Sequence, residues 1–346
     1  MMEALPEIIT DESQLDAVFT APSAALREFI ADVSSPLVIL GAGGKMGPTL
    51  AVLAKHAADL AGHPLEVIAV SRYSSEAARQ WLENNGVQTI TADLLKPAAW
   101  ATLPDTENVI YLVGQKFGTE ENPGLTWAMN TLVPANACER YRDARMVALS
   151  TGCVYPLVPV TSGGATEATA PEPVGEYASA CMARERLFEF HSAKHGTAIT
   201  LVRLNYAIDL RYGVLHDIAQ NIHRDQAIDL AMGHFNCIWQ GDANERILRS
   251  LALCDSPPRI LNLTAPETLS VREVATRLGE LMDREATFNG TEAETSWLSN
   301  PQAALDEFGP LNVPLETMLQ WTAHWTTHAG RSLGKPTHFE VRDGKY

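Results

Sequence analysis

The stretch PLVILGAGGKMGPTLAVLAKHAADLAG, residues 36–62, decides the fold. Residues 36–44 are an apolar run that ends in glycines, and from Met46 onward the apolar positions recur at helical spacing. Gly41, Gly43, Gly44 and Gly47 therefore stand between a strand and a helix. A turn of this kind has the chemistry of a phosphate cradle. Gly41 makes the tight bend, Gly44 lets the backbone approach a pyrophosphate, and Gly47 lets the helix pack close to the sheet. The first N–H groups of the helix face the same anion. Lys45 and Met46 complete the candidate cofactor-binding turn.

The pattern repeats along the chain. Apolar strands are expected at 65–73, 87–94, 108–114, 145–156 and 197–206, with helices between them. Strands that are apolar on both faces and alternate with helices give a parallel sheet covered on each side. The fold class is therefore α/β, a doubly wound parallel sheet, with a smaller, discontinuous C-terminal part for the substrate. The expected division is a helical extension over 1–34, a dinucleotide-binding body over 35–205, a substrate part over 206–330 with some strands returning to the sheet, and a tail over 331–346. Thr10 or Asp11 caps the first helix of the extension, and Ser23 the second. Pro134 should kink the long helix that begins near Gly124. The tail, GRSLGKPTHFEVRDGKY, is either a free end or an arm folded onto a partner.

Composition limits the partners. A net charge of -16 argues against nucleic acid, because phosphates are repelled. No apolar run reaches the ~20 residues that span a bilayer. The N-terminus has no basic region, and five widely spaced cysteines without a C-x-x-C pair fit reduced thiols in a cytoplasm. The histidines show no H-E-x-x-H spacing, so no metal is expected. Phe235, Tyr206 and Trp239 read as core before they read as a pocket wall.

The end of the second strand reads VSRYSS. Ser71 stands where NAD enzymes keep an acid for the ribose 2′-hydroxyl, and Arg72 follows. A cation there suits a 2′-phosphate, and Lys45 is a second candidate for the same contact. NADP is therefore favoured over NAD.

With these residues in hand, the chain resembles the extended short-chain dehydrogenase/reductase family, the NAD(P)-dependent epimerases and dehydratases. GAGGKMG matches the family's G-x-x-G-x-x-G of the Rossmann turn. Asp93-Leu94 matches an acidic residue beside the adenine, and Leu112, Val113 and Gly114 stand at a small-residue turn beneath the cofactor. Asn130 matches a family asparagine on the fourth helix. STGCVYP (150–156) matches S-[ST]-x-x-V-Y-G, with Thr151 at the catalytic hydroxyl and Pro156 in place of glycine. Tyr177, 26 residues after Thr151, matches the catalytic tyrosine, and Glu185 a glutamate eight residues further on. The resemblance implies a homodimer through the fourth and fifth helices, which the apolar residues of TWAMNTLVPANAC (126–138) allow. It also implies hydride transfer at a hydroxyl or carbonyl carbon of a sugar or sugar-derived substrate.

Two positions depart from the pattern. Phe235 stands where a family arginine grips the nucleotide of the substrate, although Asp242 of the same segment is kept. In EYASACMARERL (176–187), Cys181 replaces the lysine of Y-x-x-x-K. That lysine holds the nicotinamide ribose and lowers the tyrosine pKa. Holding a tyrosine as phenolate at neutral pH takes roughly 4 kcal/mol, and a cysteine supplies none of it. Positions 177, 181 and 184 share a helix face, so Arg184 is one turn beyond the vacant place; Lys116 in GQKFG is another candidate. Two readings follow: an enzyme with Tyr177 as acid/base, Thr151 as hydrogen-bond donor and Arg184 as cation, or a catalytically degenerate dinucleotide-binding sensor or structural protein.

Overall fold

The structure is a computed structural model that describes residues 5–116, 121–328 and 330–345. Phe117 and Gly118 of the GQKFG turn and Tyr346 of the tail lie outside the described residues. Two helices, α1 (Glu12–Phe19) and α2 (Ala24–Ile30), come first. Asp11 caps α1 by accepting the Gln14 N–H at 2.9 Å, and Ser23 caps α2 by accepting that of Leu26 at 3.0 Å. The extension touches both halves of the molecule. Leu26 and Ile30 join the core over one face of the sheet, whereas Leu15 and Phe19 join the core of the C-terminal part. There Phe19 stacks on Trp239, ring centres 4.6 Å apart.

The sheet begins with β1 (Leu37–Leu40), β2 (Val67–Ser71), β3 (Gln88–Thr91), β4 (Asn108–Tyr111) and β5 (Arg145–Thr151). Strands Ile199–Leu204 and Arg259–Leu263 complete it. Their spatial order is 259–263, 199–204, β5, β4, β1, β2, β3, and every neighbouring pair is parallel. β1 shows why its sequence is apolar throughout. Leu37 and Ile39 enter the core on one face, Val38 and Leu40 the core on the other. Chain order reverses between β1 and β4, which opens a crevice at their C-terminal ends.

Five helices accompany β1 to β5: α3 (Gly47–Leu60), α4 (Glu76–Asn84), α5 (Pro97–Trp100), α6 (Pro123–Arg140) and α7 (Gly175–His195). The kink expected at Pro134 does not end α6, which runs as one helix through it. The C-terminal part holds α8 (Val214–His223), α9 (Gln240–Arg249), α10 (Val271–Met282), α11 (Gln302–Phe308) and α12 (Leu315–Thr327). Its core unites α8, α10 and α12 with the buried rings of Phe235, Trp239 and Trp321, so Phe235 and Trp239 are core residues. Asp242 is structural too: it accepts the N–H groups of Asn312 and Val313 at 3.1 and 3.0 Å. No helix among the described residues is long and apolar enough to cross a membrane.

Candidate active site

The glycine turn forms as its spacing requires. Gly41 has φ +84°, and a Cβ there would lie 2.8 Å from the Val113 nitrogen, so the loop after β4 presses directly on the bend. A Cβ on Gly47 would stand 2.5 Å from the Ala42 backbone. Gly43 and Gly44 are exposed, and a Cβ on Gly44 would meet nothing closer than 3.4 Å. Met46 precedes α3 without a side-chain cap, and Pro48 occupies the first turn. The N-terminus of α3 thus presents uncapped N–H groups over bare glycine backbone, and this cradle fits a pyrophosphate.

Around the turn the candidate residues separate. Ser71, at the end of β2, faces it: a Cβ on Gly43 would lie 2.5 Å from Ser71 Oγ. Arg72 is exposed beside it. Asp93 accepts the Leu95 N–H at 3.2 Å, and Leu94 is buried. Lys45 corrects the expectation that it would serve a 2′-phosphate near Ser71. Its Nζ donates to the Ala207 carbonyl at 2.8 Å and lies 3.9 Å from the Tyr212 ring centre, toward the C-terminal part. The flexible stem follows a carbonyl and an aromatic face that the sequence order does not place nearby. Burial pushes its ammonium down to about 7.

The second half of the site is built on α7. The Tyr177 hydroxyl is hydrogen-bonded to the Cys181 thiol one turn later. Burial pushes the phenol well above its ordinary range, and the neighbouring Cys181 and Cys153 add to the rise while Arg184 opposes it. Burial likewise raises Cys181. Arg184 reaches back along the helix. Its Nη2 is 3.5 Å from Cys181 Sγ, and its Nη1 donates to Asn130 Oδ1 at 2.9 Å and to the Val113 carbonyl at 3.2 Å. A Cβ on Gly114 would stand 2.8 Å from the same Nη1. The guanidinium is buried, and its hydrogen bonds go to a carbonyl, an amide and a thiol rather than a carboxylate. One side chain therefore joins the loop Leu112–Val113–Gly114, Asn130 on α6, and the face of α7 that carries Tyr177. Thr151 Oγ1 accepts the Cys153 N–H at 3.2 Å, which turns the chain after β5. Lys116 approaches the site as well, donating to the Thr337 carbonyl at 3.4 Å, and burial lowers its pKa.

A support beneath the site escaped sequence reasoning. Glu185 is fully buried, accepts Ser150 Oγ at 2.5 Å and forms a two-point ion pair with Arg203, at 3.0 and 2.6 Å. This clamps α7 to β5 and to the strand 199–204. Glu185 was legible as a family match, but Arg203 lies in an apolar strand and carries no motif. A cluster of Glu139, His191 and His195 brings possible ligand atoms within 4.8 Å of one another on α6 and α7. Its shared oxygen, Glu139 Oε1, already accepts Lys194 Nζ at 2.7 Å, which makes the group a surface ion cluster.

The comparisons with known proteins agree with this architecture. A UDP-glucuronic acid 4-epimerase from Bacillus cereus, solved with UDP-glucuronic acid and NAD, superposes with a TM-score of 0.72 at 16% identity, covering 85% of this chain and 99% of that one. A UDP-glucose 4-epimerase from Thermus thermophilus solved with NAD gives 0.67 at 18% identity, with coverages of 85% and 99%. A dTDP-glucose 4,6-dehydratase from Bacillus anthracis with NAD gives 0.70 at 13% identity, with coverages of 84% and 96%. Among curated proteins, none matches the sequence. The model of the NAD dependent epimerase/dehydratase family matches residues 37–230, from the first strand of the sheet into the C-terminal part, and the chain belongs to that family.

Proposed function

We propose that this protein binds a nicotinamide dinucleotide along the glycine turn and oxidises or reduces a hydroxyl-bearing carbon of a sugar or sugar-derived substrate. One observation carries the reading. The bare cradle at Gly43 and Gly44 and the Tyr177–Cys181–Arg184 face of α7 are joined through the loop Leu112–Gly114, which presses on Gly41 at one end and is bonded by Arg184 at the other. When bound, the nicotinamide ring supplies the hydride acceptor or donor.

The chain's own residues manage the proton. With its pKa raised, Tyr177 holds its proton at neutral pH and is suited to donate it to a substrate oxygen that gains charge. Thr151 keeps its hydroxyl proton for the same oxygen, since its Oγ1 only accepts from the backbone. Arg184 places a permanent charge where Cys181 supplies none, and stabilises negative charge as it develops on the phenol. Ser71 and Arg72 favour NADP over NAD. Trp127 and Leu132 on α6 and Phe190 on α7 are exposed, which suits pairing of two copies through these helices. The five cysteines carry no disulfide, in keeping with a reducing compartment such as the cytoplasm.

A second reading, a dinucleotide-binding protein without turnover, draws on Cys181 and the raised Tyr177. Fluorescence titration with NAD and NADP, followed by nicotinamide absorbance over a panel of sugars and sugar acids, separates the two. Turnover that disappears in Tyr177→Phe supports the enzyme. Binding without turnover across the panel selects the second reading, and failure to bind either dinucleotide removes both.

A further inference from the structure

Residues 331–345 contain no helix or strand, yet they are anchored along their whole length. Trp325 Nε1 donates to the Arg331 carbonyl at 3.0 Å, and the Leu333 N–H donates to the Arg211 carbonyl at 3.0 Å. Thr337 donates twice to Asp217 Oδ2 on α8, from its N–H at 2.7 Å and its Oγ1 at 2.5 Å. The Thr337 carbonyl in turn accepts Lys116, just beyond β4. Phe339 is buried in the core of the C-terminal part. Arg342 Nη1 donates to the Thr295 carbonyl at 2.6 Å. Gly344 ends on α7: a Cβ there would stand 2.1 Å from the carbonyl oxygen of Val174, the residue that precedes the helix.

The segment therefore runs past α8 and Lys116 after β4, stays packed on the C-terminal part through Phe339 and Arg342, and closes at the start of α7 three residues before Tyr177. The sequence left open a free end or an arm on a partner; the tail instead lies across its own chain. The strap thus touches both the segment just after β4 and the start of the helix that carries Tyr177. The cations near the strap are already engaged: Lys116 donates to the Thr337 carbonyl, Lys45 to the Ala207 carbonyl, Arg211 is paired with Asp209 and Asp16, and Arg342 is tied to Thr295 and to the Ala231 carbonyl, while Asp217 adds a carboxylate.

We infer that residues 331–345 form a wall of the substrate site that admits a compact sugar-type substrate and excludes one carrying a nucleoside diphosphate. This rests on the reading of the site given above. The test uses the full-length chain and two variants, Gly344→Val, which clashes with Val174, and Arg342→Ala, which frees the strap by another route. Faster tryptic cleavage after Arg331, which is followed by Ser332, reports release. Each protein, saturated with NAD or NADP, is titrated with UDP and UDP-glucose. The wild type should bind neither measurably, and a released strap should raise the apparent affinity for UDP-glucose at least about tenfold, as the competent fraction grows. Equal binding by wild type and released variants overturns the inference, as does continued exclusion after proteolysis shows release. Dinucleotide binding on the same samples reports the cofactor assignment separately, so its failure is distinguishable.

Discussion

Arg184 Nη2 lies 3.5 Å from Cys181 Sγ, one helical turn back along α7. The guanidinium thus stands beside the position of a lysine that this chain lacks, and its charge opposes the rise of the Tyr177 phenol. Arg184→Met should lower kcat by roughly 10²-fold, the size of a lost electrostatic contact to a developing charge. Adding Cys181→Lys to that variant should recover part of the loss. Steady-state kinetics of the single and double variants measure both, and an unchanged kcat in Arg184→Met would remove the role.

Tyr177→Phe should cost at least ~10²-fold in kcat while dinucleotide binding is kept. The phenol's pKa is raised, so the reduction rate should stay flat from neutral pH up past the ordinary tyrosine range, because the proton to be donated is retained throughout. Oxidation, which needs the phenolate, should still be rising there. A reduction rate that falls with an apparent pKa near neutrality would assign the proton to another group.

Gly43 and Gly47 should separate binding from stability. In Gly43→Ala the new methyl meets the Ser71 hydroxyl, a side chain able to rotate, and it intrudes on the cradle. Dinucleotide affinity should fall with little change in Tm. In Gly47→Ala the methyl meets the Ala42 backbone, which has no room to move, so stability should fall by ~1–3 kcal/mol. Fluorescence titration and thermal melts on both variants test the contrast.

Glu185→Ala would leave the Arg203 guanidinium buried without its carboxylate. Loss of one partner of a buried pair costs ~3–5 kcal/mol. Ser150→Ala, which removes one hydrogen bond to the same carboxylate, should cost only ~1 kcal/mol. Denaturant unfolding distinguishes these magnitudes.

Lys45 should give stability a neutral-to-alkaline pH dependence. Its folded pKa is depressed to about 7 from an ordinary 10.5. Between those values the unfolded chain holds a proton that the native chain has shed, so native stability rises with pH across the window and the gain is lost as pH falls through 7. Measured against Lys45→Met, the wild type should gain stability between pH 7 and 10; a constant difference would show that the ammonium stays charged.

The sequence by itself determined the elements and the cradle. Apolar runs that alternate with helical spacing fix β1 to β5 and their helices. Gly41, Gly43, Gly44 and Gly47 declare the turn, because the demand for missing side chains is local and can be read residue by residue. The shared face of Tyr177, Cys181 and Arg184 was legible for the same reason, since helix period is a local property. The destinations of long side chains and of the tail were decided only in three dimensions. Lys45 turned to Ala207, Arg203 paired with Glu185, and residues 331–345 settled against α8 and the start of α7, since each partner is distant in the chain and becomes a neighbour only when the two parts of the molecule pack.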